Sequence, residues 1–479
     1  MVRFVASALT TLLLASLSLG VGANQEYQQW LAEQQKSYQQ FLTEQQKAFS
    51  ALLEQDWAEY QLDAAPPVFA PKPATQPVFE PPKPAASTPE PVDHLPEPLP
   101  PVVVKPIAKP PVATNTRSVE FRFHGLTAAF EVPKELTRTI GNRPTQERLA
   151  KWWRDNTQKD HDAFLSQLAQ FRQHYHFNDW DHTQLLFALA GKIHTRQTDQ
   201  VVFVWYLLDR AEVDVKLARQ DNRWFLLYRS QQALVETPFL TNQGRRYYVY
   251  DRQDIGPKKL KTWDHGEVKT PRALNLVPDP QLALGDKWQS KTLNFRYQER
   301  KFQLDLPFNE YRVAHLASYP PFALREYLGQ PMPKSMRDSV NQSLLAEFKS
   351  LTERQKWEFL LSVVQQSFDY KTDDDQFGQE RYLRAEEMLR YPYSDCEDRT
   401  HFLAGLAKTL TDASVVALKY PNHVALAVHT KGMKTQKGDT LYKLGNRQYI
   451  IVDPTYLNAG PGQVMPDLAR VAPEILVLN

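Results

Sequence analysis

One cysteine occurs in 479 residues: Cys396, in the run Ser394-Asp395-Cys396-Glu397-Asp398-Arg399. His423 follows 27 residues later (423 − 396) and Asp453 a further 30 (453 − 423). Thiol, imidazole and carboxylate are the set that nucleophilic catalysis needs: an attacking atom, a base, and a group that orients the base. After Cys396 the sequence HFLAGLAKTL repeats apolar side chains at Phe402, Leu403, Leu406 and Leu410, which is helical spacing. Ser394 or Asp395 reads as the N-cap, so Cys396 falls in the first turn, where free amides and the helix dipole favour a thiolate. Glu397 and Asp398 would oppose that if they faced the sulfur. They read better as first-turn helix stabilisers, or Asp398 as half of a surface pair with Arg399.

The base and its orienter need a scaffold too. His423 opens the apolar run Asn-His-Val-Ala-Leu-Ala-Val, and Asp453 closes Gln-Tyr-Ile-Ile-Val-Asp just before Pro454. Two neighbouring antiparallel strands would set them side by side, with the cysteine helix packed across. The stretch KGMKTQKGDTLYKLGN supplies the intervening turn. His401 and His429 compete for the base role. The acids Asp373, Asp374 and Asp375 lack calcium-ligand spacing and read as a solvated loop. Neither a metal nor a cofactor is expected.

The set Cys-x-Asp at a helix start, Asn-His-Val on one strand and Val-Asp-Pro-Thr-Tyr on the next resembles the transglutaminase-like domain of the papain-like cysteine-enzyme superfamily. YPYSDCEDRTHFLAGL, YPNHVALAV and IVDPTY resemble, more narrowly, exported bacterial members of undefined role. The likeness covers about residues 340 to 460. It implies Cys396 as nucleophile, His423 as general base and acid, and Asp453 as orienter of the imidazole. Acyl transfer on amide bonds is the implied chemistry, with the Cys396 N–H as one oxyanion donor. Gln365 is the candidate second donor, with Gln366 and Tyr370 as its competitors. Many members have Gly before the cysteine where this chain has Asp395, a difference that bears on how substrate approaches.

The globular part shows an internal echo. VEFRFHGLTAAFEVP (119–133) lies over LNFRYQERKFQLDLP (293–307) at a shift of 174 (293 − 119). Leu185-Leu186 matches Leu360-Leu361 at 175 (360 − 185), and Asp199 matches Asp395 at 196 (395 − 199). About 21 inserted residues near 373–394 account for the jump. RRYYVYD (245–251) resembles RQYIIVD (447–453). Ordered matches of this kind indicate an old duplication. Gln200 stands where the second copy has Cys396, Trp224 falls near the expected histidine, Asp251 matches Asp453, and Ala190 matches Gln365. The first copy is therefore expected to be catalytically dead.

The expected organisation is a signal peptide (1–23), a long helix (24–63), a proline-rich linker (64–116), a degenerate transglutaminase-like module (117–285) and a catalytic one (286–479), α+β throughout. Arg3, the apolar stretch from Phe4 to Leu19 and the small residues before Asn24 form a secretory leader, with cleavage after Ala23. An uncleaved anchor is the competing reading. Export makes the unpaired thiol a liability unless it is buried or kept for its reactivity. EYQQWLAEQQK and SYQQFLTEQQK repeat every 11 residues, so an aromatic seam stays on one side of a helix. Self-association is the favoured use of that seam, with docking on the chain's own body, another partner or the cell envelope as the others. Between 66 and 111 lie 17 of the 35 prolines, which favour an extended spacer. With 57 basic and 55 acidic residues, no net field draws nucleic acid. The substrate is expected to be protein or peptide; the alternative is a non-enzymatic binder of a peptide or cell-wall partner.

Overall fold

In a computed structural model, residues 23–68, 73–79, 92–94, 105–110, 114–141, 145–250, 259–263 and 271–478 are described. Residues 1–22 of the expected leader, and Asp251, lie outside them. The described residues fall into two compact bodies, the smaller drawn from Met1–Trp57, Ile140–Asp160 and Trp263–Thr270. Among them no helix is long and apolar enough to cross a membrane.

In the smaller body one helix, Ala23–Glu54, runs through the 11-residue repeats. It stops at Glu54, short of the expected residue 63. Phe49, from the third repeat, packs its ring 4.9 Å from Trp153 and 5.8 Å from Trp263. Trp57 meets Trp263 at 5.5 Å, so aromatic burial takes over where the helix ends. At least this end of the seam docks on the chain itself. Its partner helix is Gln146–Thr157, which sequence placed inside the first module.

The larger body is mixed helix and sheet, and it repeats one plan twice. A hairpin leads each half: Thr116–Phe123 with Leu126–Pro133, and Trp288–Tyr297 with Arg300–Asn309. Each turns on two residues with positive φ, His124-Gly125 and Gln298-Glu299, the two-residue turn whose twist suits a hairpin. Helices Asp179–Ile193 and Gln197–Arg210 follow in the first half, Glu353–Ser367 and Cys396–Leu410 in the second. A sheet closes each half. The first has neighbours in the order Lys259–Thr262, Val215–Gln220, Arg223–Tyr228, Arg245–Val249, Phe239–Asn242; the second reads Glu474–Val477, Val415–Tyr420, His423–His429, Arg447–Val452, Leu441–Leu444. The strand order is the same, and Ala58–Gln61 joins the outer edge of the first sheet. That pairing is why residues 58–61 are strand rather than helix.

Two further readings change. Leu441–Leu444, expected as part of a turn, is a strand paired with Arg447–Val452, with Gly445-Asn446 as the tight turn between the two. The described parts of the proline-rich segment lie against the larger body instead of spanning free space. Val92–His94 pairs in parallel with residues 301–303, and Val78 bridges Leu457. Proline lacks an N–H but keeps its carbonyl, so such a chain can still feed acceptors to a sheet or loop edge.

Candidate active site

Cys396 opens its helix behind Asp395, the N-cap, which has extended backbone angles (φ −117°, ψ −154°). Phe402, Leu403 and Leu406 bury the apolar side of that helix. Thr400 Oγ1 donates to the Val424 carbonyl at 3.1 Å, fastening the helix to the histidine strand. His423 begins that strand because it pairs with Tyr420 across Pro421-Asn422. The aspartate strand lies alongside, with Leu426 opposite Val452, one residue before Asp453.

These elements bring the three side chains into one chain of contacts. His423 Nδ1 is 3.2 Å from Cys396 Sγ, and His423 Nε2 is 2.8 Å from Asp453 Oδ2. Burial works against a charged imidazole, but Asp453 and the cysteine sulfur outweigh it and raise the His423 pKa well above its ordinary value. Asp453 also forms the turn expected of an Asp before Pro. Its other oxygen accepts the N–H groups of Thr455 (2.9 Å) and Tyr456 (3.2 Å). One carboxylate thus holds both the ring and the loop that follows.

Gln365 does not serve the role expected of it. Its Nε2 lies within 3.0 Å of the carbonyls of Asp453, Tyr456 and Ala459, and its Oε1 accepts the Asn458 N–H at 3.2 Å. With its two amide protons shared among three loop carbonyls, it has none for an oxyanion. It is a brace for residues 453–459. Gln366 is turned the other way, bonding the backbone of Arg296. Of the candidates only Tyr370 lies at the sulfur: its Oη is 3.8 Å from Cys396 Sγ, and here its single proton goes to the Pro73 carbonyl at 2.7 Å. Burial, and then the nearby sulfur, raise its pKa, so the phenol keeps its proton. Tyr370 is held beside Ser394 by a two-residue parallel pairing of Asp369–Tyr370 with Tyr393–Ser394.

Cys396 has 0% of its surface exposed, yet its surroundings are polar. Arg399, expected at the surface, is buried, with its guanidinium 5.4 Å from the Tyr370 ring centre and donating to the Phe368 carbonyl at 2.5 Å. Asp398 is buried as well and accepts the Leu383 N–H at 2.7 Å. The competing histidines are placed elsewhere. His401 stacks on Tyr327 at 4.7 Å, with burial lowering its pKa to about 3, and His429 packs on Tyr449 at the far end of its strand.

Four acids beside the nucleophile were not foreseen as a group. One oxygen from each of Asp373, Glu380, Asp395 and Glu397 lies within 4.8 Å of the others. Both Glu397 oxygens are buried with no hydrogen-bond partner. Burial first, then the neighbouring carboxylates, raise Asp373 to about 9 and Glu397 well above the usual range; Asp395, mainly through burial, rises to about 7. An all-oxygen set of this spacing could hold a hard divalent cation such as calcium, whose ligands lie at about 2.3–2.6 Å. Asp373 is therefore no solvated loop residue. The four acids come from three separate stretches, which is why local spacing hid them.

The first half differs where the second has Cys396 and His423. Gln200, matched to Cys396 by sequence, lies three residues into the helix that Gln197 opens; it donates to the His194 carbonyl at 2.8 Å and borders a cavity of about 600 Å³ with Trp180, Gln184, Phe187 and Tyr250. The strand equivalent to that of His423 begins with exposed Arg223, not Trp224, since one shift of 200 (415 − 215, 423 − 223) relates both strand starts. Trp224 is fully buried. No family model, curated protein or solved structure matches the chain.

Proposed function

We propose that this chain is an exported, cysteine-dependent acyl-transfer enzyme with a transglutaminase-like second half, acting on amide bonds of protein or peptide. The observation that carries the reading is the continuous contact from Cys396 Sγ through both ring nitrogens of His423 to Asp453 Oδ2, at 3.2 and 2.8 Å. In this reading the thiolate attacks the amide carbonyl carbon, and the C–S bond forms as the carbonyl electrons move to oxygen. The Cys396 N–H and Tyr370 Oη, once the substrate carbonyl has replaced that of Pro73 on the phenol, receive that oxyanion. His423 then gives its proton to the departing amine as the C–N bond breaks, leaving a thioester. Next it removes a proton from water or an incoming amine, which attacks the thioester and releases the sulfur. Hydrolysis is favoured because water is always present. Asp453 keeps the imidazole aimed and supports its charge.

The first half is proposed as a non-catalytic relative, a binding or bracing module. The leader is proposed to send the chain out of the cytoplasm, to the periplasm in a bacterium. A direct test is alkylation of Cys396 by iodoacetamide at neutral pH. His423→Ala should slow labelling at least tenfold without loss of fold by thermal melting; equal rates would sink the enzyme reading.

A further inference from the structure

We infer that residues 73–79 lie in the substrate groove of the second half as a built-in occupant, and that the ligand taken there in trans is an extended peptide carrying proline and a large apolar side chain. The groove is named on the strength of the cysteine-enzyme reading above; the occupancy itself is a matter of contacts.

Residues 73–79 read Pro-Ala-Thr-Gln-Pro-Val-Phe. At one end the Pro73 carbonyl accepts from Tyr370 Oη at 2.7 Å, the same hydroxyl that stands 3.8 Å from Cys396 Sγ. A peptide carbonyl is thus held by the phenol that neighbours the nucleophile. At the other end the segment runs parallel to residues 455–458. The Leu457 N–H donates to the Pro77 carbonyl at 2.9 Å, and the Phe79 N–H donates to the Leu457 carbonyl at 2.8 Å. Gln76 reaches the Thr455 carbonyl, and Asn458 the Phe79 carbonyl, each at 3.5 Å. Side chains alternate as on a strand: Val78 is 50% exposed, while Phe79 sets its ring against Tyr456 at 5.8 Å and 90°. This is peptide recognition by strand addition, where backbone bonds give affinity and alternate side chains give selectivity.

The receiving strip is the turn that Asp453 and Gln365 hold rigid, so docking site and triad are one structure. Prolines 73 and 77 present carbonyls and no N–H, which keeps the bonds few and the segment exchangeable. With the residue 73 carbonyl on the phenol beside the sulfur and 76–79 along the strip, the leaving-group side of a substrate would lie on 455–458. The buried sulfur follows: a peptide of the protein's own stands where substrate would.

The test uses the full chain, with iodoacetamide labelling of Cys396 followed by mass spectrometry. Two variants are compared with the parent, one with residues 73–79 replaced by an equal length of Gly and Ser, the other Phe79→Ala. Each is also made with His423→Ala. At least tenfold faster labelling in the replaced variant, a smaller rise in Phe79→Ala, and reversal by the free peptide Pro-Ala-Thr-Gln-Pro-Val-Phe support the proposal. Unchanged rates in both variants overturn it, as does a rise that the peptide fails to reverse. The His423→Ala arm reads separately: if it slows nothing while strap replacement still accelerates labelling, the enzyme reading falls and the occupied groove stands.

Discussion

The two halves of the larger body share strand order and helix order, yet where one has Cys396 in a closed polar nest the other has Gln200 beside a cavity of about 600 Å³. The largest difference is in what joins the two helices beneath each sheet. In the first half Asp179–Ile193 and Gln197–Arg210 are separated by residues 194–196; in the second, Glu353–Ser367 and Cys396–Leu410 are separated by residues 368–395. That longer connection carries Tyr370, Asp373 and Glu380, and it ends at Asp395. The fold shared by both halves places a helix start against two strands. What the second adds is a loop that delivers a donor and an acid cluster to that helix start. The proposed chemistry would depend on the insertion as much as on the triad.

The largest contrast should come from the matched positions themselves. Cys396→Ser should lower amide turnover by about 10³-fold or more, because the attacking atom is lost, while stability changes by about 1 kcal/mol. Gln200→Ala should leave turnover within twofold. Steady-state kinetics on a peptide library with parallel melting curves measures both, and a turnover defect in Gln200→Ala would end the view of the first half as catalytically silent. Next comes Tyr370→Phe, which removes the phenol proton and keeps the ring. Loss of one oxyanion donor lowers kcat about 10²–10³-fold with KM nearly unchanged. A variant at parental kcat would leave the Cys396 N–H as the working donor and reduce Tyr370 to a wall.

How much of this was legible beforehand differs by residue. Cys396, His423 and Asp453 could be read because each sits at the end of a periodic run, and element ends are where a sheet brings side chains together. The repeat was legible through hairpins whose turns lie at one shift, 174 (297 − 123, 300 − 126). Gln365 was misjudged because a glutamine on a buried helix face has acceptors on any loop that crosses it, and only the path of residues 453–459 decides which. The acid cluster was hidden for the same reason: Asp373, Glu380, Asp395 and Glu397 meet through a fold of the insertion that no period announces. A signal did exist. Asp395 and Glu397 flank a helix-start cysteine, on a face where two unpaired acids need an explanation. The strand at 441–444 was lost to a glycine- and lysine-rich stretch that looked like turn.

The acid cluster gives a third way to separate the halves, since the first has no counterpart to the insertion that carries Asp373 and Glu380. Carboxyls held protonated in the fold bind more protons folded than unfolded. Their contribution to stability is therefore greatest below about pH 4 and is lost as pH rises toward about 7 for Asp395 and about 9 for Asp373. Without divalent cation the melting temperature should fall across that window. Calcium at a hundred times its Kd should restore about 2.7 kcal/mol and flatten the pH profile. Glu397→Gln should remove most of the calcium response. Melting curves from pH 5 to 9 with EDTA or calcium decide this, and a profile indifferent to both cation and Glu397 would leave the cluster as protonated packing.

The smallest expected effect probes the brace. Gln365→Ala gives the second half the residue that Ala190 supplies in the first, at the matched shift of 175 (365 − 190). It strips the 453–459 turn of its contacts to one side chain and leaves the buried carbonyls of Asp453, Tyr456 and Ala459 without that donor. Unsatisfied buried acceptors cost about 1–3 kcal/mol, so a measurable drop in denaturant midpoint is expected. Asp453 keeps its own bonds to Thr455 and Tyr456, which limits the loss in kcat to about tenfold. Gln365→Glu separates brace from oxyanion donor. A carboxylate still accepts from the Asn458 N–H but repels the three carbonyls, so stability should fall further than in the alanine variant, with kcat tracking the turn's disorder. If both variants instead lost 10²-fold or more in kcat at unchanged stability, Gln365 would belong with the oxyanion donors after all, and Tyr370 would yield that role.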